Sequence, residues 1–458
     1  MTVTETAPRN GFRPLLALGT RLTGVQLAQV ALTTTDIAML GTLGVKAVAA
    51  GGLAALLYNQ IRTMTVGMVT PAGNLVAGAL GRHESGATSG ERTVHDEVRG
   101  VVRAAFAVAT VVGALAAGVV IGIGCILPWF GQSADVVAVA FPMMAALAPG
   151  LIPMLWLQVL RQFAVGMHRA GSLLGVTIAS IGVNLVLDGG FLYGWLGLPI
   201  IGVTGIGLAT ALAQLLGFLA YLLLVRRDPH LRPALSLRGW RVERERVTEI
   251  VRLGTPACLT YGSEAGITSV ATLVMGNFGP VALAAHNLVN QITYIVYQVS
   301  IGISQGASIL VSHSVGRGDR AEPRRIAYRA FALAGALQLV LAAVYLLAPR
   351  SVLGLFLGSN DTVVFGTATT LLLLGIIQQI TKGGQNIAVG LMRGLGDTKA
   401  GFRSSLVGYW GVGVPGMLLC AYVFGWAAAG VWVGLCLGFG ATAVQLLVRF
   451  SRTEARQR

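Results

Sequence analysis

The sequence predicts an all-α integral membrane protein. Twelve transmembrane helices are expected in two six-helix lobes related by a pseudo-two-fold axis along the membrane normal. Three observations predict this: the chain is too apolar for a soluble protein, it divides into twelve long apolar runs, and its halves repeat.

Of 458 residues, 54% are hydrophobic and 11% are charged, with a mean hydropathy of +0.73. Soluble domains carry about 25% charged residues. This chain therefore cannot cover the three soluble domains that its length would otherwise suggest. The same apolar content excludes disorder. The net charge is +15, and 30 of the 33 basic residues are Arg. A high basic charge can mark nucleic-acid binding. Here the Arg clusters sit in short loops between apolar runs, which is the positive-inside signature, so no nucleic-acid partner is expected. Cys125, Cys258, Cys420 and Cys436 lie in or beside apolar runs at no metal-ligand spacing and read as small core residues. The polar start MTVTETAPRNGFRP lacks the features of a cleavable signal peptide.

A helical span needs about 20 apolar residues. The runs cover 15–40, 47–80, 100–127, 135–160, 171–193, 200–225, 251–277, 281–314, 328–347, 362–391, 402–424 and 427–449. The intervening loops alternate in charge. Basic loops carry Arg82, Arg92, Arg99 and Arg103; His168 and Arg169; Arg226 through Arg246; Arg317 through Arg329; and Arg393, Lys399 and Arg403. The opposite loops hold little beyond Lys46 and Arg350. This bias places both termini in the cytoplasm. The expected organisation is a tail at 1–14, an N-lobe at 15–225, an inter-lobe loop at 226–250, a C-lobe at 251–449 and a tail at 450–458. The preference for Arg over Lys fits GC-rich coding and hence a bacterial inner (plasma) membrane.

The halves match at an offset of 235 residues. Gly41, Gly44, Ala47, Ala49, Ala50 and Leu53 meet Gly276, Gly279, Ala282, Ala284, Ala285 and Leu288. Gly67, Ala72, Leu75, Val76, Gly81 and Arg82 meet Gly302, Ala307, Leu310, Val311, Gly316 and Arg317. A later match, AVGMHR (164–169) with AVGLMR (388–393), has an offset of 224. Six spans separate the members of each pair, so the repeats are parallel. This is secondary-transporter architecture. There is no Walker A pattern, HExxH, GxSxG or DxD-type metal site, so neither catalytic residues nor a bound metal or cofactor is expected.

Ionisable residues inside the spans become the site candidates because burying them is costly. Asp36 lies in QVALTTTDIAMLG. Asn184 and Asp188 share one helix face at i, i+4 in GVNLVLDGG. Glu264 lies in LTYGSEAGITS, in the opposite lobe. Lys382, in GIIQQITKGGQNIAVG, must pair with a carboxylate or lose its proton, and Glu264 is the partner within its lobe. The plainer alternatives are an interhelical hydrogen bond that only holds the fold for Asp36, a wet, structural place near the helix end for Asp188, and a structural pair for Lys382 with Glu264. Asn287, Gln291, Tyr294 and Gln298 form a polar stripe in span 8, widened by Asn290 and Tyr297. Tyr294 and Tyr297 can meet an organic cation through their ring faces. Arg62, Met64 and Met68 are further candidates for the substrate cleft, as is Gln385. Pro71, Pro142, Pro149, Pro153, Pro256 and Pro415 mark possible bends.

These motifs resemble the MATE (multidrug and toxic compound extrusion) family, nearest its NorM-like and DinF-like bacterial branches. QLAQVALTTTDIAMLGTLGVKAVAA is similar to the family's first helix. NLVLDGGF, GNFGPVALAAHNLVNQ and GLMRGLGDTKAG resemble its helix 5, the start of helix 8 and the loop after helix 10. The resemblance implies that Asp36, Asn184 and Asp188 form a cation- or proton-coupling cluster, and that Glu264 is the helix 7 acid of the NorM-like branch. Two departures stand out. Lys382 replaces an Asp expected before Gln385, which argues against a sodium site in the C-lobe. Arg21 replaces a Pro usual in helix 1, which argues against bending there.

The expected function is an antiporter that exports amphipathic, often cationic small molecules, either drugs or a natural product. Protons drive it, with sodium as the second choice. The working unit is expected to be a monomer in the lipid bilayer. The nearest rival is a flippase for a lipid-linked precursor, which would want a strongly basic cavity. An integral membrane transferase would need a catalytic cluster at a membrane-facing loop.

Overall fold

In hydrocarbon, every backbone N–H and C=O needs an internal partner, which leaves helix as the solution for an isolated apolar run. The computed structural model describes residues 12–86, 93–130, 133–169, 171–235, 242–354 and 362–457. Arg92, Arg238 and Arg241 of the basic loops lie outside the described residues, as does most of the N-terminal tail. The described residues contain helices and turns but no strand. The first half comprises α1 (Arg13–Thr42), α2 (Val45–Val69), α3 (Pro71–Glu84), α4 (Val94–Ile126), α5 (Ala134–Leu147), α6 (Leu151–Gly166), α7 (Leu173–Tyr193) and α8 (Val203–Arg227). The second comprises α9 (Arg244–Gly276), α10 (Pro280–Gly316), α11 (Glu322–Leu347), α12 (Pro349–Gly354), α13 (Thr362–Gly394), α14 (Thr398–Ser405), α15 (Val414–Leu418) and α16 (Ala427–Gln457).

Ten of these segments are long and apolar enough to cross a membrane. The other two predicted spans, α2–α3 and α9, carry Asn59 and Arg62, and Arg252 and Glu264. The chain is thus a multi-pass membrane protein with the all-α, twelve-span fold that the sequence predicts. The prolines act locally. Pro71 opens α3 where α2 stops. Pro149 sits in the 3₁₀ turn between α5 and α6. Pro415 lies between two π-helical stretches, Leu406–Gly413 and Leu419–Val423. Its missing N–H and bulky ring are incompatible with a regular i→i−4 ladder. Arg21 is exposed on a continuous α1.

The helices pack as two units, residues 24–258 and residues 1–23 with 259–458. The boundaries fall inside α1 and α9 rather than in the polar loop near the middle of the chain. In the first unit, Glu97 accepts from Arg82 at 2.7 Å and from Arg246 at 3.2 Å, tying α3, α4 and the start of α9 together. In the second, the buried core includes Trp432, Phe439, Tyr409 and Met417, packed with α9, α10 and α13.

The repeat is visible at backbone level. Gly44 and Gly279 precede α2 and α10 with φ/ψ of 92/175 and 96/173. This region is essentially closed to residues with a Cβ. Further along, a Cβ on Gly67 would lie 2.7 Å from Cys258 Cα, and one on Gly302 would lie 2.8 Å from Thr23 Cα. Both members of each pair are 235 positions apart, so each unit has the same backbone-to-backbone crossing. The later match needs correction. Backbone bonds from His168 to Val165 and from Arg169 to Ala164 recur as Gly396 to Arg393 and Asp397 to Met392. His168 and Gly396 share a positive φ. The structural offset is therefore 228 rather than 224. The two AVG motifs sit one helical turn out of register, and a one-turn slip preserves the helix face.

Candidate functional site

Three threonines precede Asp36 on α1. Thr33, Thr34 and Thr35 each donate to the carbonyl four residues back, at 3.3, 2.9 and 2.9 Å. Their hydroxyls are thus satisfied within the helix, while the Asp36 carboxylate reaches across to α7 and α8. There the Asn184 side-chain nitrogen donates to Asp36 Oδ1 at 2.7 Å and to Asp188 Oδ2 at 2.7 Å. One amide thereby spends both its protons on two carboxylates. Thr210 Oγ1 shares its proton between Asp36 Oδ2 at 3.3 Å and the carbonyl of Ile206 at 3.0 Å. Asn184 and Asp188 are 1% and 0% exposed. Asn184 Oδ1 and Asp188 Oδ1 are buried without a hydrogen-bond partner among the described residues.

Gly189 and Gly190, which follow Asp188, have a packing role. A Cβ on Gly189 would collide with the Trp195 ring, and one on Gly190 would press on Leu198 at 2.5 Å. The chain after α7 thus folds back over the helix beside Asp188. A narrow cavity within this unit is lined by Asp36, Tyr58, Asn59, Arg62, Thr210 and Gln214, with Leu32, Met143 and Leu147 among its apolar walls. It has room for roughly a water or two. Tyr58 Oη and Arg62 Nε are buried without a partner among the described residues.

The predicted cluster of Asp36, Asn184 and Asp188 therefore meets in space. Glu264 and Lys382 meet in the other unit, with Nζ 3.6 Å from Oε1. The predicted cleft residues lie in different surroundings. Arg62 lines the intra-unit cavity. Met68 is packed against α9, with Thr255 Oγ1 4.0 Å from its Sδ and its carbonyl against Gly254. Met64 is half-buried. The α10 stripe divides: Asn287, Gln291 and Tyr294 are exposed, whereas Tyr297 and Gln298 are buried, Tyr297 against α13. Asn386 donates to Tyr297 Oη at 2.8 Å, and Gln385 is 1% exposed. The polar pattern along α10 does not say which of its residues tertiary packing covers. Thr210, Tyr58 and Phe439 were missed. The i, i+4 spacing of Tyr58 and Arg62 was an available signal; Thr210 and Phe439 carried none.

The sequence profile of the family MatE matches residues 22–188 and 256–419, one match in each repeat. The chain is 36% identical to the probable multidrug resistance protein NorM of Pseudomonas aeruginosa over 452 residues, covering 97% of this chain and 90% of that protein. It is 34% identical to the NorM protein of Brucella suis over 444 residues, covering 95% and 92%. Among solved structures, a eukaryotic MATE transporter superposes with a TM-score of 0.84 at 21% identity, covering 97% of this chain and 98% of that one. An outward-facing multidrug resistance MATE family transporter superposes with a TM-score of 0.85 at 19% identity, covering 97% and 96%.

Proposed function

The chain belongs to the MatE family of membrane transporters, and from that premise we propose that it is a multidrug efflux antiporter driven by protons through Asp36, Asn184 and Asp188. The observation that carries the reading is the single neutral amide holding two carboxylates of one buried site. An amide orients carboxylates without neutralising them. Two ionised carboxylates sharing one nitrogen repel by on the order of 3 kcal/mol even at an effective dielectric near 20. A proton, which can reach the pair through the water-sized cavity, removes that repulsion. Reversing a two-state population from 1:99 to 99:1 takes about 5.5 kcal/mol of difference between the states, so relief of this repulsion drives the switch to the extent that the other arrangement separates the two carboxylates. Sodium is the second choice for the same seat.

The exported molecule is an amphipathic, often cationic compound. Such a cation competes with the proton for negative charge, and its release follows the population shift when the proton arrives. Support comes from the multidrug resistance proteins that the chain resembles. The working unit is a monomer in a bacterial inner membrane with both termini cytoplasmic, a reading supported by the alternation of basic loops. The test is dye-cation efflux from proteoliposomes under an imposed pH gradient. Wild type is expected to export only with the gradient, and Asp36→Asn is expected to lose gradient-driven export. Coupled export surviving in Asp36→Asn would overturn the assignment.

A further inference from the structure

The ammonium of Lys382 is enclosed. Nζ lies 3.6 Å from Glu264 Oε1, 4.3 Å from the centre of the Tyr297 ring and 5.3 Å from that of Phe439. The four side chains come from α13, α9, α10 and α16, all within one unit. The walls are themselves held. Asn386 bonds the Tyr297 hydroxyl at 2.8 Å, and Phe439 meets Tyr409 edge-on at 5.3 Å between ring centres. The Lys382–Glu264 contact is longer than a charge-assisted hydrogen bond of about 2.7–2.9 Å. The ammonium is therefore held by coulombic and ring-face attraction rather than by one short bond. One carboxylate and two aromatic faces are what recognise an ammonium group in general, and nothing in that chemistry requires the ammonium to be a lysine's.

We propose that this unit contains a preformed seat for a small primary ammonium ion, and that Lys382 fills it as a tethered occupant. While Lys382 is present, the seat accepts no cation from solution. Shortening Lys382 empties the seat and leaves the partly buried Glu264 without its counter-ion, and a free ammonium ion then restores the pair.

The experiment uses the purified full-length protein in detergent. Lys382→Ala, Lys382→Met, Lys382→Ala/Glu264→Gln and wild type are each prepared with and without methylammonium chloride. Thermal unfolding is then followed in methylammonium, sodium or N-methylglucamine chloride at equal ionic strength. The expected result is that methylammonium raises the Lys382→Ala midpoint by on the order of a few degrees over N-methylglucamine. Wild type, Lys382→Met (whose chain still fills the cage) and the double variant are expected not to respond. A Lys382→Ala protein recoverable only with methylammonium present is also an expected result. No response in Lys382→Ala, an equal response in wild type or the double variant, a response to sodium alone, or failure to recover Lys382→Ala even in methylammonium would each overturn the proposal. The seat is independent of the Asp36 reading, because Asp36→Asn in the Lys382→Ala background is expected to leave the methylammonium response intact even if it abolishes efflux.

Discussion

At the scale of single residues, the site depends on an uncharged group. Asn184 donates to two carboxylates at 2.7 Å, and hydrogen bonds to charged groups are worth about 1.5–3 kcal/mol each. Asn184→Ala is expected to reduce gradient-driven efflux by at least about tenfold, read as initial rates in proteoliposomes with protein content matched. Thr210 makes one longer bond, shared with its own backbone. Thr210→Val is therefore expected to cost only about two- to fivefold in the same assay. The acids and Asn184 were legible as candidates in the sequence because a carboxylate in an apolar run is costly to bury. Thr210 was not legible. Threonine is common in spans, its hydroxyl usually bonds the preceding turn, and its distance from Asp36 along the chain is 174 residues.

At the scale of elements, hydropathy fixes the helices, while backbone geometry fixes where they turn and cross. Gly44 and Gly279 adopt nearly the same glycine-only conformation, and a Cβ at either would meet nothing within 4 Å. The cost of adding one is thus backbone strain alone, about 1–3 kcal/mol. Gly44→Ala and Gly279→Ala are expected to lower the thermal midpoint by similar amounts. At Gly189 the cost has another origin, because the Trp195 ring already occupies the place of a Cβ. Gly189→Ala is expected to destabilise by about 1–3 kcal/mol through overpacking and also to slow efflux, since it displaces the turn beside Asp188. Runs and repeats could be read along one dimension. The 224-residue match slipped by a turn because two AVG motifs look alike, whereas the register is set by the turn that follows each helix. The division of the α10 stripe was equally hidden, since the Asn386 that meets Tyr297 lies on α13, 89 residues away.

At the scale of the whole molecule, Glu97 links three elements, with Arg82 at 2.7 Å and Arg246 at 3.2 Å. It is partly exposed, so the link is modest and responds to screening. Glu97→Gln is expected to lower stability by about 0.5–1 kcal/mol at low ionic strength. That difference should shrink toward zero in roughly 1 M salt, as thermal melting in both buffers would show. The two-lobed, twelve-span organisation was legible because the repeat is long and parallel. The division of the chain at Thr23 and Cys258 was not, because no composition change marks it. That division has a consequence for how the protein is made. The opening of α1 is synthesised well before the rest of the unit it packs with, whose remaining residues begin at Leu259. It must wait in the membrane for a partner more than 230 residues downstream.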